Sequence, residues 1–351
     1  MKHATHTRVT FALGVGLSLG GPWHAVPGQA TSAFASRPVC ALTASGESRS
    51  RFVFESSPWV NLHNFLVQNA KRVRGFDDDG LAARGYLAED TAVARHLRDD
   101  ARARWEDAVN FFAEQEMNGK ESIDSLVLTV SNPLAAALPN GNLDDVALRP
   151  ELKRLLRDVM PIYRGGWWPV HNARNRRWMA SMQEQLRGRE DCLARRAADV
   201  FRASWPAEAI RVDASVYANW FGAYSTRHPT HITVSSNAQG TQASYGLEVL
   251  LHETGHAMLS TIDSALASEA ARQRKTLPRE LSHLLLFYTA GALVKEVEPG
   301  HVPFADAFGI WRRNQASARY RELLETAWQP YLSGQRTFNE SIRALIRGLP
   351  L

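Results

Sequence analysis

Two histidines four residues apart, with a glutamate directly after the first, stand at His252-Glu253-Thr254-Gly255-His256. On a helix, His252 and His256 lie one turn apart on the same face, and their imidazoles can share one metal ion. Glu253 then falls about 100° further round. That puts it beside the ion, where a base must be to take a proton from water held there. The flanking residues sharpen the reading. Val249, Leu250, Leu251, Ala257, Met258 and Leu259 make the segment apolar nearly all round, which marks a buried helix running roughly from Gln242 to Ser260. Two imidazoles and a carboxylate are costly to bury unless something satisfies them, and a zinc ion would. The plain alternative is a chance match on an ordinary helix.

This segment resembles the active-site helix of zincin metallopeptidases, of which HETGH is a common form. The agreement is specific over the motif and looser over residues 210–297. Three wider blocks, NLHNF at Asn61–Phe65, GAYST at Gly222–Thr226 and LLFYTAG at Leu285–Gly291, look like a group of exported bacterial proteins of unassigned function that carry such a helix. The resemblance implies Zn2+ as cofactor, His252 and His256 as ligands, Glu253 as general base, and a peptide or protein substrate. It names no substrate more closely.

A catalytic zinc needs a third protein ligand and one position left open for water. In the gluzincin group of zincins that ligand is a glutamate on a later helix. Here Glu280 and His283 lie i, i+3 and share a helical face. His283 is the first choice, since Leu281, Leu284, Leu285 and Leu286 enclose it. Glu280 is the second, although a carboxylate in a first helical turn also simply suits the helix dipole. Glu269, in an expected linker, is the third. Each has a plain reading too: a core histidine, a helix-terminal carboxylate, a surface glutamate. Tyr288, five residues beyond His283, is a candidate to steady the oxyanion of a tetrahedral intermediate, against the reading of a core tyrosine. Tyr217, Tyr224 and His228 are further candidates. His63 and His171 have no metal spacing and read as packed or hydrogen-bonded histidines.

The elements that must position these groups follow from periodicity. Residues 51–205 read as mostly helical, with Pro133, Pro139, Asn140-Gly141 and Gly165-Gly166 as punctuation. Ile210–Val216 and His231–Ser236 alternate and are β-branched, so they read as strands, with a loop through Gly222–Thr226 between them. The second of these is the candidate for the strand that lines the cleft and receives an extended peptide. After the motif helix a linker to about Lys275 leads to a second helix over Leu281–Val297, opened by Pro278 and stopped by Pro299-Gly300. Further helices are expected over Ser317–Trp328 and Asn339–Arg347. The fold class is mainly α with a small β-sheet (α+β). A helical region over 51–205 precedes a zincin-like region over 206–351, unless residues 31–351 form one compact unit.

The remaining signals concern compartment and partners. Met1–Arg8 carries Lys2 and Arg8 without an acid, Val9–Gly21 is apolar, and Pro22 and Pro27 break it; residues 1–30 read as a secretory signal peptide, followed by a loose leader over 31–50. Export to the periplasm or medium of a bacterium is expected, with no stable membrane span after cleavage. Removing Lys2 and Arg8 lowers the formal net charge from +5 to +3, and the arginine-rich patches are interleaved with acids, so no nucleic-acid partner is expected. Cys40 and Cys192 either form one disulfide or stand as two unrelated thiols. The expectation is a zinc-dependent hydrolase, most simply a metallopeptidase, with a non-catalytic exported zinc protein or a binding module as the alternative.

Overall fold

The computed structural model describes residues 50–75, 87–116, 123–137, 141–218, 222–227 and 229–349. The expected signal peptide and leader, Cys40, Pro139, Asn140 and His228 lie outside these residues. The fold is mostly helical around a small mixed sheet. In its first half stand β1 (Phe52–Glu55), α1 (Pro58–Val73), α2 (Ala88–Arg95), α3 (Asp99–Phe111), α4 (Ile123–Ala136), α5 (Pro150–Gly166), α6 (Trp168–Leu186) and α7 (Glu190–Phe201). Three strands follow, β2 (Ile210–Ser215), β3 (Ala223–Arg227) and β4 (Thr230–Ser235). The last half is helical: α8 (Ser244–Gly255), α9 (Ser260–Gln273), α10 (Leu281–Val297), α11 (Phe304–Ala307), α12 (Gln315–Leu323), α13 (Gln329–Leu332) and α14 (Phe338–Gly348).

The sheet runs in the order β1-β2-β4-β3, with β1, β2 and β4 parallel and β3 antiparallel to β4. Because side chains alternate across a sheet, each strand serves two layers. Val212, Ala214, Ile232, Val234 and Ala223 enter the core built with α6, α7, α8 and α10. The opposite face is polar and meets α1 and α4: Thr233 pairs with Ser131 (3.2 Å), His231 with Asn132 (2.8 Å) and Asp213 (2.8 Å), and Tyr224 with Asn64 (3.3 Å). Asn61 ties α1 to β2, its side-chain amide donating to the Ala214 carbonyl and its oxygen accepting from the Val216 amide. A second core forms beyond that face from α1, α3 and α5.

Several expectations need correction. Residues 222–227 are not a loop: Ala223–Arg227 pairs with β4 from Ala223 opposite Val234 to Arg227 opposite Thr230. That makes β3 an edge strand and leaves β4, the expected cleft strand, paired on both sides. The stretch 260–273 is not a linker but helix α9, whose buried Ile262, Leu266 and Ala270 recur every four residues. The motif helix is accordingly shorter than expected and turns after His256. Phe52–Glu55, read as the start of a helical region, is instead a strand parallel to β2. The two cores also do not divide near residue 205, since α6 and α7 pack with α8 and α10.

Candidate metal centre

Helix α8 is buried from Gly246 to Gly255, as its apolar flanks require. Glu248, His252 and His256 recur every four residues along its face toward α10. Helix α10 answers with its own stripe of His283, Phe287 and Gly291. The two helices meet closely because residue 255 has no side chain: a Cβ at Gly255 would lie 2.4 Å from a Leu286 methyl carbon and 3.2 Å from the Phe201 ring. Near its N-terminus α8 is fastened by a polar chain. His301 Nε2 donates to the buried Glu248 carboxylate (2.5 Å), which also accepts from the Phe304 amide (2.9 Å), while Ser244 bonds His301 Nδ1 (2.8 Å).

This packing brings His252, His256 and His283 together, with one ligand nitrogen from each within 4.8 Å of the others. The Nε2 atoms of His252 and His283 are 3.1 Å apart. Phe287 packs against both rings, 4.1 Å from His252 and 4.9 Å from His283 between centroids. All three imidazoles are held neutral. Burial, with the neighbouring imidazoles, pushes His252 well below its ordinary value. Burial, then His283, then Arg227 bring His256 down to about 3. Burial and the Arg313 charge bring His283 down to about 4. Neutral imidazoles present lone pairs, the form in which histidine binds metals.

Glu253 points to the sheet side of the cluster. Its carboxylate accepts from the Ser225 hydroxyl on β3 (2.7 Å), and the same hydroxyl lies 3.2 Å from the Glu253 carbonyl oxygen. Burial raises the carboxyl to about 7 against the opposing effect of that bond.

The other candidates lie elsewhere. Glu280 is exposed at the N-cap of α10, and Glu269 sits on α9 paired with Arg272 and Gln273. Neither joins the cluster. Tyr288 is turned away, since five residues on a helix is a rotation of about 140° past a full turn; its hydroxyl donates to Gln329 (3.0 Å). Tyr217 donates to Asp90 (2.6 Å) and Tyr224 to Asn64. His171 bonds Asp90 and Tyr163 in the second core, while His63 is buried there against Phe112 with neither ring nitrogen hydrogen-bonded. Cys192 on α7 is disulfide-bonded.

The sequence does not single out four further residues: Ser225 and Phe287, which contact the site, and Arg227 and Arg313, whose charges act on it. Two of them sit in the blocks that carried the wider resemblance, Ser225 in GAYST and Phe287 in LLFYTAG. The chain matches no protein-family model, no curated protein and no solved structure.

Proposed function

We propose that the protein is an exported zinc-dependent metallopeptidase, with the metal held by His252, His256 and His283 and with Glu253 as general base. The observation that carries the reading is the convergence of three neutral imidazoles beside a buried, hydroxyl-anchored carboxylate. The donor set fits the metal. Two ligands at 2.0–2.1 Å in a tetrahedral arrangement stand about 3.3 Å apart, close to the 3.1 Å between His252 and His283. A third imidazole completes the protein ligands of a catalytic site and leaves a fourth position for water. Export rests on the amino-terminal segment; in the described residues no helix is long and apolar enough to cross a membrane.

Bound zinc supplies Lewis-acid polarisation of the scissile carbonyl and makes a water molecule acidic enough to ionise near neutrality. The protein's own groups then do the positioning and the proton transfer. Glu253 takes the water proton on its carboxylate and returns it to the leaving amine nitrogen. Burial favours the protonated carboxyl, which suits the half of the exchange in which Glu253 accepts the proton. Ser225 fixes the carboxylate, and Phe287 fixes the planes of two imidazoles. The strand β3 runs past Glu253 and, among the described residues, pairs with β4 alone, so an extended peptide can align along its other side as a further strand.

Glu253→Gln keeps the shape and the metal but not the base. Turnover of a peptide library should fall by about 10²–10⁴-fold with zinc content unchanged. Undiminished hydrolysis in that variant removes Glu253 from the mechanism. A protein that holds zinc, cleaves nothing and fails to bind a hydroxamate would be a non-catalytic zinc protein with a closed fourth position.

A further inference from the structure

Ser244 opens α8 two turns before His252, about 12 Å along the helix from the histidine cluster. Its hydroxyl lies 2.8 Å from His301 Nδ1, and His301 Nε2 lies 2.5 Å from Glu248 Oε2. An imidazole that donates from Nε2 to a carboxylate carries its neutral proton there, so Nδ1 is the acceptor and the Ser244 hydroxyl the donor. A hydroxyl, an imidazole base and a carboxylate that orients the base are the parts of an activated serine, recognised by their roles and not by their order in the chain. Ser244 is half-buried, while the His301 and Glu248 side chains are each 1% exposed.

The surroundings suit those roles. Glu248 Oε2 also accepts from the Phe304 amide, and its buried Oε1 has no hydrogen-bond partner among the described residues. A carboxylate so placed favours a positive imidazole beside it, the charge His301 acquires when it takes the serine proton. The backbone is strained just before the hydroxyl: Ala243 has φ +50° and ψ −140°, whereas Arg202 and Arg274, also at positive φ, lie in the ordinary left-handed well. Because α8 begins at Ser244, the positive end of its dipole lies where an oxyanion would form. The walls are apolar. The half-buried Tyr245 ring is 5.4 Å from His301 and 5.1 Å from the half-buried Phe308, and Val302, next to His301 in the chain, is 53% exposed.

We infer that Ser244 is a second nucleophile of this protein, and that esters of short apolar acids are its substrates. His301 Nδ1 takes the hydroxyl proton as Ser244 Oγ bonds to the ester carbonyl carbon. The carbon–alkoxy bond breaks, and the same proton leaves with the alcohol. Water then gives a proton to His301 and its oxygen to the acyl carbon, the Oγ–acyl bond breaks, and the proton returns to Ser244. Ester and water thus become acid and alcohol, with Glu248 as a positioning residue. The inference does not rest on the metal.

The test uses the full chain as purified. Reaction with an alkyl fluorophosphonate, followed by peptide mass mapping, should leave about one adduct per chain, on Ser244, and Ser244→Ala should take none. Hydrolysis of p-nitrophenyl butyrate should saturate with ester and fall about 10²-fold or more in Ser244→Ala. His301→Gln should lower the maximal acylation rate about 10²–10⁴-fold, and Glu248→Gln should lower it in the same sense, each with native circular dichroism and an unchanged half-saturating ester concentration. Should His301→Gln fail to fold, Ser244→Ala, which removes only a hydroxyl, decides the matter. No adduct, an adduct on another residue, or ester cleavage undiminished in Ser244→Ala overturns the proposal. A folded His301→Gln protein that is less stable but acylates as fast as the parent also overturns it, since the three residues would then only fasten α8. Such a failure leaves the metallopeptidase reading as it stands, because neither readout involves peptide cleavage or zinc content.

Discussion

At the scale of single residues, the site combines groups that a helical period aligns with groups that only the tertiary fold supplies. His252, Glu253 and His256 belong to the first kind: their spacing already places two donors on one face and a carboxylate beside them. Ser225 belongs to the second. Its hydroxyl donates to the Glu253 carboxylate; in the proposed mechanism, without that bond the base is free to turn from the water it would deprotonate. Ser225→Ala should lower kcat about 10-fold with KM little changed, a loss of about 1.4 kcal/mol in the transition state, read by steady-state kinetics on any cleaved peptide. An unaltered kcat would mean that packing alone aims the carboxylate. His283 was legible only as one of three alternatives, because a sequence shows that a histidine is surrounded by leucines but not which neighbouring helix it faces. Arg227 and Arg313 carried no signal at all. Their charges act on the cluster from an edge strand and from the turn before α12, and nothing in their local sequence marks that.

At the scale of elements, α10 is the one whose type and extent the pattern conveyed best, since it is long, apolar and bounded by proline; the motif helix was legible in type, but it ends at Gly255 rather than near Ser260. The sheet was half legible. Two strands alternate visibly, but β3 reads Ala-Tyr-Ser-Thr-Arg and shows no apolar-polar alternation, because one of its faces meets a polar lattice and the other meets the site. Helix α9 was hidden by the absence of glycine or proline in the turn that precedes it. Gly255 then explains how α8 and α10 approach: the added methyl of Gly255→Ala has no room against Leu286 and Phe201. That variant should lose about 1–3 kcal/mol of stability through overpacking, read as a lower urea midpoint at unchanged slope, and should weaken zinc retention as the helices part. A variant as stable as the parent would show that the helices can separate without cost.

At the scale of the whole molecule, two cores share one sheet, and histidines are buried neutral in both. His63 shows what this means for acid stability. Burial lowers it from 6.5 to about 4, so between those pH values the unfolded chain binds a proton that the folded chain refuses. Its contribution is fully present above the unfolded value and declines as pH falls toward the folded one. Going from pH 7 to pH 5 should remove about 2 kcal/mol on this account. His63→Phe should flatten that part of the urea-midpoint profile, while an equally steep fall in the variant would place the acid lability elsewhere. The central claim is narrower than the stability of the whole: three imidazoles from α8 and α10 hold one ion with a coordination position left open. X-ray absorption at the zinc edge, on protein purified without added metal, tests it directly. The account predicts one zinc per chain, with three imidazole nitrogens and one water oxygen at about 2.0–2.1 Å and the three-histidine signature reduced in His283→Ala. Protein that contains no transition metal and takes none up, or a spectrum that His283→Ala leaves unchanged, would contradict it.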